Sequence, residues 1–321
     1  MSSEPVDFLV VIPTFRRLKY LRDAIEGVLS QTGVSKRIIV VDDSPEGSAE
    51  SVANGFGNKD IIYLRNMFPT GGWPSKVRNF GLQKAAELGI EPLFVHFLDD
   101  DDIPVEGIYS AVKLVFADNP NIGVVFGTLV PFCEFSEDET RRDLQENQLQ
   151  EVRSWRAYAT VITKLYSKVN TINWSLGQWL FRQHSRFSHE LFLCSGGMIR
   201  YKNAIELNGF DPNTRITEDY EFYTRAIIRF GVYFLNRPSA MYRVGNVDSL
   251  WNPLGLEGAR KSEHENEFGR ILKLRQMRLR EEMGNDLKFY FNKIVLRLVL
   301  LLLGKTIVGR LVKSEIRENF S

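Results

Sequence analysis

Four adjacent carboxylates, Asp99 to Asp102, follow directly on the apolar run Pro92–Leu98. Like charges at that spacing repel one another, and a solvated loop gains nothing by concentrating them. A divalent cation reverses the balance, because Mg²⁺ or Mn²⁺ takes carboxylate oxygens and bridges them to a diphosphate. Alternate residues at a strand end turn to the same side, which pairs Asp99 with Asp101. A competing reading makes Asp102 a helix N-cap, with Pro104 and Glu106 in the first turn. That reading accounts for one aspartate and leaves the others unexplained.

Three further segments carry usable chemistry. In Val40-Val41-Asp42-Asp43-Ser44, an aspartate at a strand end can accept a hydrogen bond from a uracil imide or a ribose hydroxyl. Asp-Ser-Pro is equally good turn chemistry. In the loop Thr70-Gly71-Gly72-Trp73-Pro74-Ser75-Lys76-Val77-Arg78-Asn79, paired glycines let backbone approach a phosphate or base, and Lys76 and Arg78 add positive charge. In Arg215-Ile216-Thr217-Glu218-Asp219-Tyr220, a carboxylate could deprotonate an acceptor hydroxyl, whose own pKa lies far above neutrality. Thr217 also reads as an N-cap, with Glu218 and Asp219 complementing a helix dipole. His96, His184, His189 and His264 have no nucleophile motif near them, and no Gly-x-Ser-x-Gly element is present.

The elements that must position these residues follow from short apolar runs separated by helical patterns. Strands are expected at Phe8–Ile12, Ile38–Val41, Ile61–Leu64, Pro92–Leu98 and Val124–Val130. Helices are expected at Leu18–Leu29 and at Pro74–Leu88, the second with proline in its first turn. This alternation predicts βαβ units, a mostly parallel sheet and helices on both faces. Ligands of such sheets bind beyond the carboxyl ends of the strands, which directs attention to Pro13-Thr14, Asp42-Asp43, the loop from Arg65 and Asp99–Asp102. Further on, Glu134–Val152 reads as an acidic surface excursion and Trp155–Phe187 as helical. Phe192–Tyr201 reads as a strand whose Ser195-Gly196-Gly197 suggests a bulge or close approach by a ligand. A helix from about Thr217 to Phe230 and short closing strands at Tyr233–Leu235 and Ala240–Val244 complete the pattern.

With 321 residues, 44% hydrophobic and 25% charged, the chain can bury a sizeable core. Its 41 basic and 40 acidic side chains leave a net charge of +1, so no global field draws nucleic acid. Cys133 and Cys194 have no zinc spacing and are expected as buried thiols. The first residues lack the pattern of a secretory signal, which makes a cytoplasmic location the expectation. After Trp251 the chain turns charged and helical, and Ile294–Leu303 is too short an apolar run, broken by Arg297, to span a membrane. From Asp286 to Ser321 seven basic residues stand against three acidic ones, and Arg310, Lys313 and Arg317 share one helix face. Two readings fit: peripheral contact with an anionic membrane at its inner face, or packing on the core or in a homo-oligomer.

As a set, these segments closely resemble the family 2 glycosyltransferases of GT-A fold. The resemblance rests on Val11-Ile12-Pro13-Thr14-Phe15-Arg16-Arg17, Leu29-Ser30-Gln31-Thr32, Ile39–Ser44, Gly71–Asn79, Leu98–Asp102 and Gly209-Phe210-Asp211 leading to Glu218-Asp219. It covers about Phe8 to Val244. It implies a metal-dependent, inverting transferase that moves a sugar from a nucleoside-diphosphate donor, UDP-sugar favoured, to a hydroxyl of a glycan or lipid-linked acceptor in surface polysaccharide synthesis. Asp43 would contact the nucleotide base, with Pro13, Thr14, Gly71 and Arg78 lining the same pocket. Asp101 would hold Mn²⁺ or Mg²⁺, Asp99 and Asp100 would support metal or ribose, and Asp219 would be the catalytic base. The implied division is a catalytic domain over residues 1–250, nucleotide-sugar-binding to 130 and acceptor-binding beyond, then a helical extension over 251–321. Two departures stand out. Many members carry a histidine after the position of Tyr242-Arg243, where this chain has Val244-Gly245-Asn246-Val247-Asp248, leaving Asn246, Asp248 or water to serve. Ser44-Pro45-Glu46 replaces the usual Gly-Ser turn. The rivals are a sugar-phosphate nucleotidyltransferase, disfavoured by the lack of a triphosphate-cradling glycine run, and a non-catalytic nucleotide-sugar-binding scaffold.

Overall fold

The computed structural model describes residues 6–150, 152–154, 156, 193–215 and 217–245. The helical reading of Trp155–Phe187, the basic tail beyond Trp251, and Asn246 and Asp248 lie outside these residues. The chain divides into two compact units, Met1–Glu134 with Phe192–Val244, and Phe135–Leu191 with Gly245–Ser321. In the second unit, residues 139–150 form a mostly exposed helix, with Gln145 and Leu149 as its buried positions one turn apart.

The first unit is built on one eight-stranded sheet. Its strands in chain order are β1 (Val6–Thr14), β2 (Lys36–Asp42), β3 (Ile61–Arg65), β4 (Pro92–Phe97), β5 (Ile103–Pro104), β6 (Val124–Phe132), β7 (Gly197–Arg200) and β8 (Val232–Arg243). The spatial order is β3-β2-β1-β4-β7-β6-β8-β5. Phe8 to Ile12 are all fully buried, as a continuous apolar run requires when helices cover both faces of a strand. On one side, α1 (Leu18–Leu29) buries Leu21, Ala24, Ile25 and Val28, a stripe at helical spacing. Pro74 opens α3 (Pro74–Glu87), following the five-residue α2 (Glu50–Asn54). The α3 helix lies so close to the sheet that a side chain at Gly81 would meet Val11 Cγ1 at 2.5 Å.

The chain runs β1 to β2 to β3 in one direction, then returns to lay β4 on the other side of β1, all four parallel. That reversal creates the crevice in which parallel sheets bind ligands. The remaining strands are mixed. β7 is antiparallel to both β4 and β6, while β8 is parallel to β6 and antiparallel to β5. Because β7 runs the opposite way, its first residues sit beside the carboxyl end of β4, and Met198 pairs with His96. The helices α4 (Ile108–Asp118), α5 (Tyr201–Glu206) and α6 (Glu218–Phe230) complete the described fold.

Three sequence expectations are corrected. Asp102 is not a helix cap: Ile103–Pro104 is a short strand, and α4 begins only after Gly107. The two closing strands are one, β8, which carries Pro238 through a region of shifted register against β6. A proline that breaks the apolar pattern is tolerated where a bulge already interrupts the ladder. Ser195 and Gly196 do not lie inside a strand, and Gly197 only begins β7. Cys194–Gly196 is a single 3₁₀ turn, and a side chain at Gly197 would come within 2.5 Å of the Phe126 ring and 2.8 Å of Tyr223.

Candidate active site

The adjacent aspartates at the end of β2 do different work. Asp42 closes the following turn, accepting from Ser44 N–H at 2.9 Å, Ala49 N–H at 2.7 Å and the Tyr63 hydroxyl at 3.1 Å. Asp43 organises the glycine loop. It accepts from Asn66 Nδ2 at 2.7 Å, the Thr70 hydroxyl at 2.8 Å, Thr70 N–H at 3.0 Å and Gly72 N–H at 2.7 Å. Gly71 and Gly72 both adopt left-handed backbone, φ 76° and 74°, which brings that N–H round to the carboxylate. Asp43 is therefore buried in hydrogen bonds from its own chain, beside the exposed Gly71 backbone.

The loop leads into α3, which is fastened along its length to the segment preceding α6. Trp73 Nε1 donates to Thr214 O at 3.2 Å, and Asn79 Nδ2 donates to Phe210 O while its Oδ1 accepts from Phe210 N–H, both at 2.8 Å. Arg78, only 3% exposed, reaches Glu218 Oε1 and Asp99 Oδ1, each at 2.6 Å. Lys76 Nζ lies 4.0 Å and Arg215 Cζ 5.6 Å from the centre of the Trp73 ring.

The aspartate run is held from several sides. Thr14, at the end of β1, donates its hydroxyl to Asp100 Oδ2 at 2.6 Å, while Pro13 beside it is paired with Val41 of β2. Arg17 spans Asp100 and Asp101, bonding Asp101 Oδ2 at 2.7 Å. Asp99 N–H donates to Ser195 Oγ at 3.2 Å. At the end of β8, Arg243 N–H donates to Asp102 Oδ1 and its Nε to Asp101 O, both at 3.0 Å. Its guanidinium also pairs with Asp23 and Glu134. Burial, moderated by Arg17 but reinforced by Asp101, pushes the Asp100 carboxyl up to about 7. Asp99 remains 29% exposed, the accessible carboxylate of the run.

His96 is not part of the chemistry. Burial lowers its pKa to about 4, so the ring is neutral at pH 7. Its Nε2 lies 3.1 Å from Ser195 O, a carbonyl that can only accept, so Nδ1 accepts from the Tyr109 hydroxyl at 2.8 Å. The ring thus fixes the Ser195 turn against the aspartate run.

Asp219 lies in the first turn of α6, partly exposed. Its Oδ2 accepts from Cys194 N–H at 3.1 Å and its Oδ1 from Tyr220 N–H at 2.7 Å. Burial, then the neighbouring Glu218 charge, push its pKa up to about 7. A carboxylate titrating there can hold and release a proton near neutrality. The expected Thr217 cap is corrected: Thr217 occupies the N-cap position with left-handed backbone, φ 60°, and makes no side-chain cap bond. That conformation is unfavourable for a β-branched residue and sits two residues from Asp219.

Five of the expected site residues, Thr14, Arg78, Asp99, Asp100 and Asp101, thus meet at one crevice with Asp219 close by through Glu218. Asp43 and Gly71 form the adjoining loop. Sequence reading gave Glu218 only a helix-dipole role, flagged Ser195 only as part of a bulge, and gave Arg17 and Arg243 no role, yet these residues hold the site groups in place. Arg17 had one usable signal, its position just past the carboxyl end of β1. A divalent cation fits the chemistry of the run, which offers only hard oxygen donors. Among the described residues no three ligating side chains converge on one point. The chain would therefore supply one or two carboxylates, Asp101 and Asp99, with water and ligand oxygens completing the shell.

Comparison with known proteins bears on the fold and the family. The minor teichoic acid biosynthesis protein GgaA of Bacillus subtilis is 26% identical over 188 residues, 58% of this chain and 39% of its own length. A GalNAc(5)-diNAcBac-PP-undecaprenol beta-1,3-glucosyltransferase of Campylobacter jejuni is 34% identical over 120 residues, 37% of this chain and 36% of its own. The chain thus spans well under half the length of these curated relatives. The structure of Staphylococcus aureus TarS 1–349 with UDP-GlcNAc is similar at TM-score 0.54 and 16% identity, over 94% of this chain and 73% of that one. Mannosyltransferase PcManGT of Pyrobaculum calidifontis, solved with GDP-Man and Mn²⁺, gives 0.50 at 11% identity, over 99% and 82%. These likenesses show the fold, which is GT-A as the sequence resemblance implied. The model of the family described as Glycosyl transferase family 2 matches residues 9–207, more than half of the chain, and the chain belongs to that family.

Proposed function

We propose that the chain transfers a sugar, with inversion, from a nucleoside-diphosphate donor to a hydroxyl of a glycan or lipid-linked acceptor in surface polysaccharide synthesis. The observation that carries this reading is the Arg78 tie. One buried guanidinium holds Asp99 of the aspartate run and Glu218 beside Asp219. The end that meets the donor diphosphate and the group that meets the acceptor proton are thereby fixed relative to each other.

In this reading the glycine loop, shaped by Asp43, receives the nucleotide base, UDP favoured, with Pro13 and Thr14 lining the same pocket. Asp219 accepts the acceptor's hydroxyl proton as the oxygen attacks the sugar carbon. Its pKa, raised first by burial and then by the Glu218 charge, suits that exchange. A divalent cation, Mn²⁺ or Mg²⁺, would be held by Asp101 and Asp99 and would offset the negative charge of the departing nucleoside diphosphate. Lys76 and Arg215 over Trp73 form a cationic rim suited to an acceptor that carries phosphate. The teichoic acid role in the name of GgaA, the UDP-GlcNAc of TarS and the polyprenol-linked acceptor in the Campylobacter enzyme's name support the donor and acceptor classes. The basic tail would dock on an anionic membrane surface, which truncation after Asp286 followed by vesicle co-sedimentation would test. Among the described residues no helix is long and apolar enough to cross a membrane.

The direct test of the chemistry is Asp219→Asn. Transfer should fall by at least 100-fold, the lower end of general-base contributions, with UDP binding retained. Retained transfer would remove Asp219 from the reaction.

A further inference from the structure

Arg17 lies on the loop between β1 and α1 and contacts Asp100 and Asp101 across 84 positions of sequence. Its side chain is 21% exposed, so it reaches the crevice as well as the carboxylates. Asp101 Oδ2, its partner at 2.7 Å, belongs to the carboxylate through which the proposed function holds a divalent cation. A guanidinium and a divalent cation cannot both sit at full strength on one carboxylate. Each lowers the negative charge available to the other, and at close range in a partly buried site their mutual repulsion is weakly screened.

We infer that Arg17 and the divalent cation compete for Asp101, and that Arg17 couples cation binding to the donor's diphosphate. The arrival of a diphosphate offers the displaced guanidinium a second anionic partner of suitable geometry, since Arg pairs with phosphate as readily as with carboxylate. Cation and nucleotide then assist one another: each binds more tightly when the other is present. By linkage the two enhancements are equal. The other groups at this point do not provide the same exchange. Arg78 is committed to Asp99 and Glu218, and Arg243 to Asp23, Glu134 and the backbone oxygen of Asp101. The inference rests on the nucleotide-sugar reading and adds to it the residue that links the two ligands.

The test is Mn²⁺ binding to the full chain, followed by electron paramagnetic resonance with and without UDP, for wild type, Arg17→Gln and Arg17→Lys. Wild type should bind Mn²⁺ weakly alone and more tightly with UDP. Arg17→Gln should bind Mn²⁺ alone roughly 10-fold more tightly, and the enhancement by UDP should shrink, both within the usual 5- to 150-fold span of coupling. Arg17→Lys, which keeps the charge but loses the two-pronged contact, should fall between and guards against misfolding of the Gln variant. Unchanged Mn²⁺ affinity and unchanged enhancement in both variants would overturn the inference while leaving the transferase reading intact. Wild type that binds Mn²⁺ under neither condition would overturn both.

Discussion

Arg78 is a buried charge with two carboxylate partners, and removing it would leave Asp99 and Glu218 facing each other without a counter-ion. Breaking such a buried arrangement costs about 3–5 kcal/mol, so Arg78→Ala is expected to lower unfolding free energy by that order in a urea titration. Arg78→Lys should recover only part, because a point charge cannot reach both partners. Asp219 adds a pH dependence. Its folded pKa of about 7 lies above the usual carboxylate range, so the folded state holds this proton more tightly than the unfolded chain. Its contribution to stability is complete below about pH 4 and is lost as pH rises through 7. In the proposed reaction the deprotonated form acts as the base, so kcat/KM should rise with pH through an apparent pKa near 7. Asp219→Asn should flatten that part of the stability profile, and a profile unchanged by the substitution would contradict the assignment. At this scale the sequence discloses the acids and hides their partners. Asp99, Asp101 and Asp219 are marked by residue type and by their place at the ends of elements. Arg17 and Arg243 act on carboxylates 84 and more than 140 positions away, and no local pattern encodes that pairing.

Among the elements, the apolar runs led to β1, β2, β3 and β4 within a few residues; β1, β2 and β4 are mostly buried and so have little choice of composition, while β3 is a half-buried edge strand. The direction of β7 was not legible. Its reversed run depends on what flanks β4, and only the structure brings the start of β7 beside Asp99. That same packing accounts for Gly197, whose missing side chain admits Phe126 and Tyr223. Gly197→Ala should therefore destabilise the ligand-free protein by about 1–3 kcal/mol through overpacking. A thermal melt of the variant equal to wild type would return Gly197 to a ligand-contact role. The competing helix reading starts α4 too early for a related reason: the aspartate run resembles a helix beginning, yet strand β5 and the left-handed Gly107 intervene. What appeared to be helix-start chemistry at Asp102 is a bond to the backbone of Arg243.

For the whole molecule, the strand order turns at β1, and every group assigned to the donor gathers on the carboxyl side of that turn. A net charge of +1 leaves no long-range field to concentrate a nucleotide, so in the proposed reading affinity comes from this crevice and the cation it would hold. The most direct measurement is therefore calorimetric titration of UDP, GDP and dTDP into the full chain, with Mn²⁺ and with chelator, for wild type and Asp101→Ala. Mn²⁺-dependent binding of one nucleotide, UDP, lost in the variant, is the expected result. Binding of no nucleotide under either condition, or binding indifferent to both Mn²⁺ and Asp101, would contradict it.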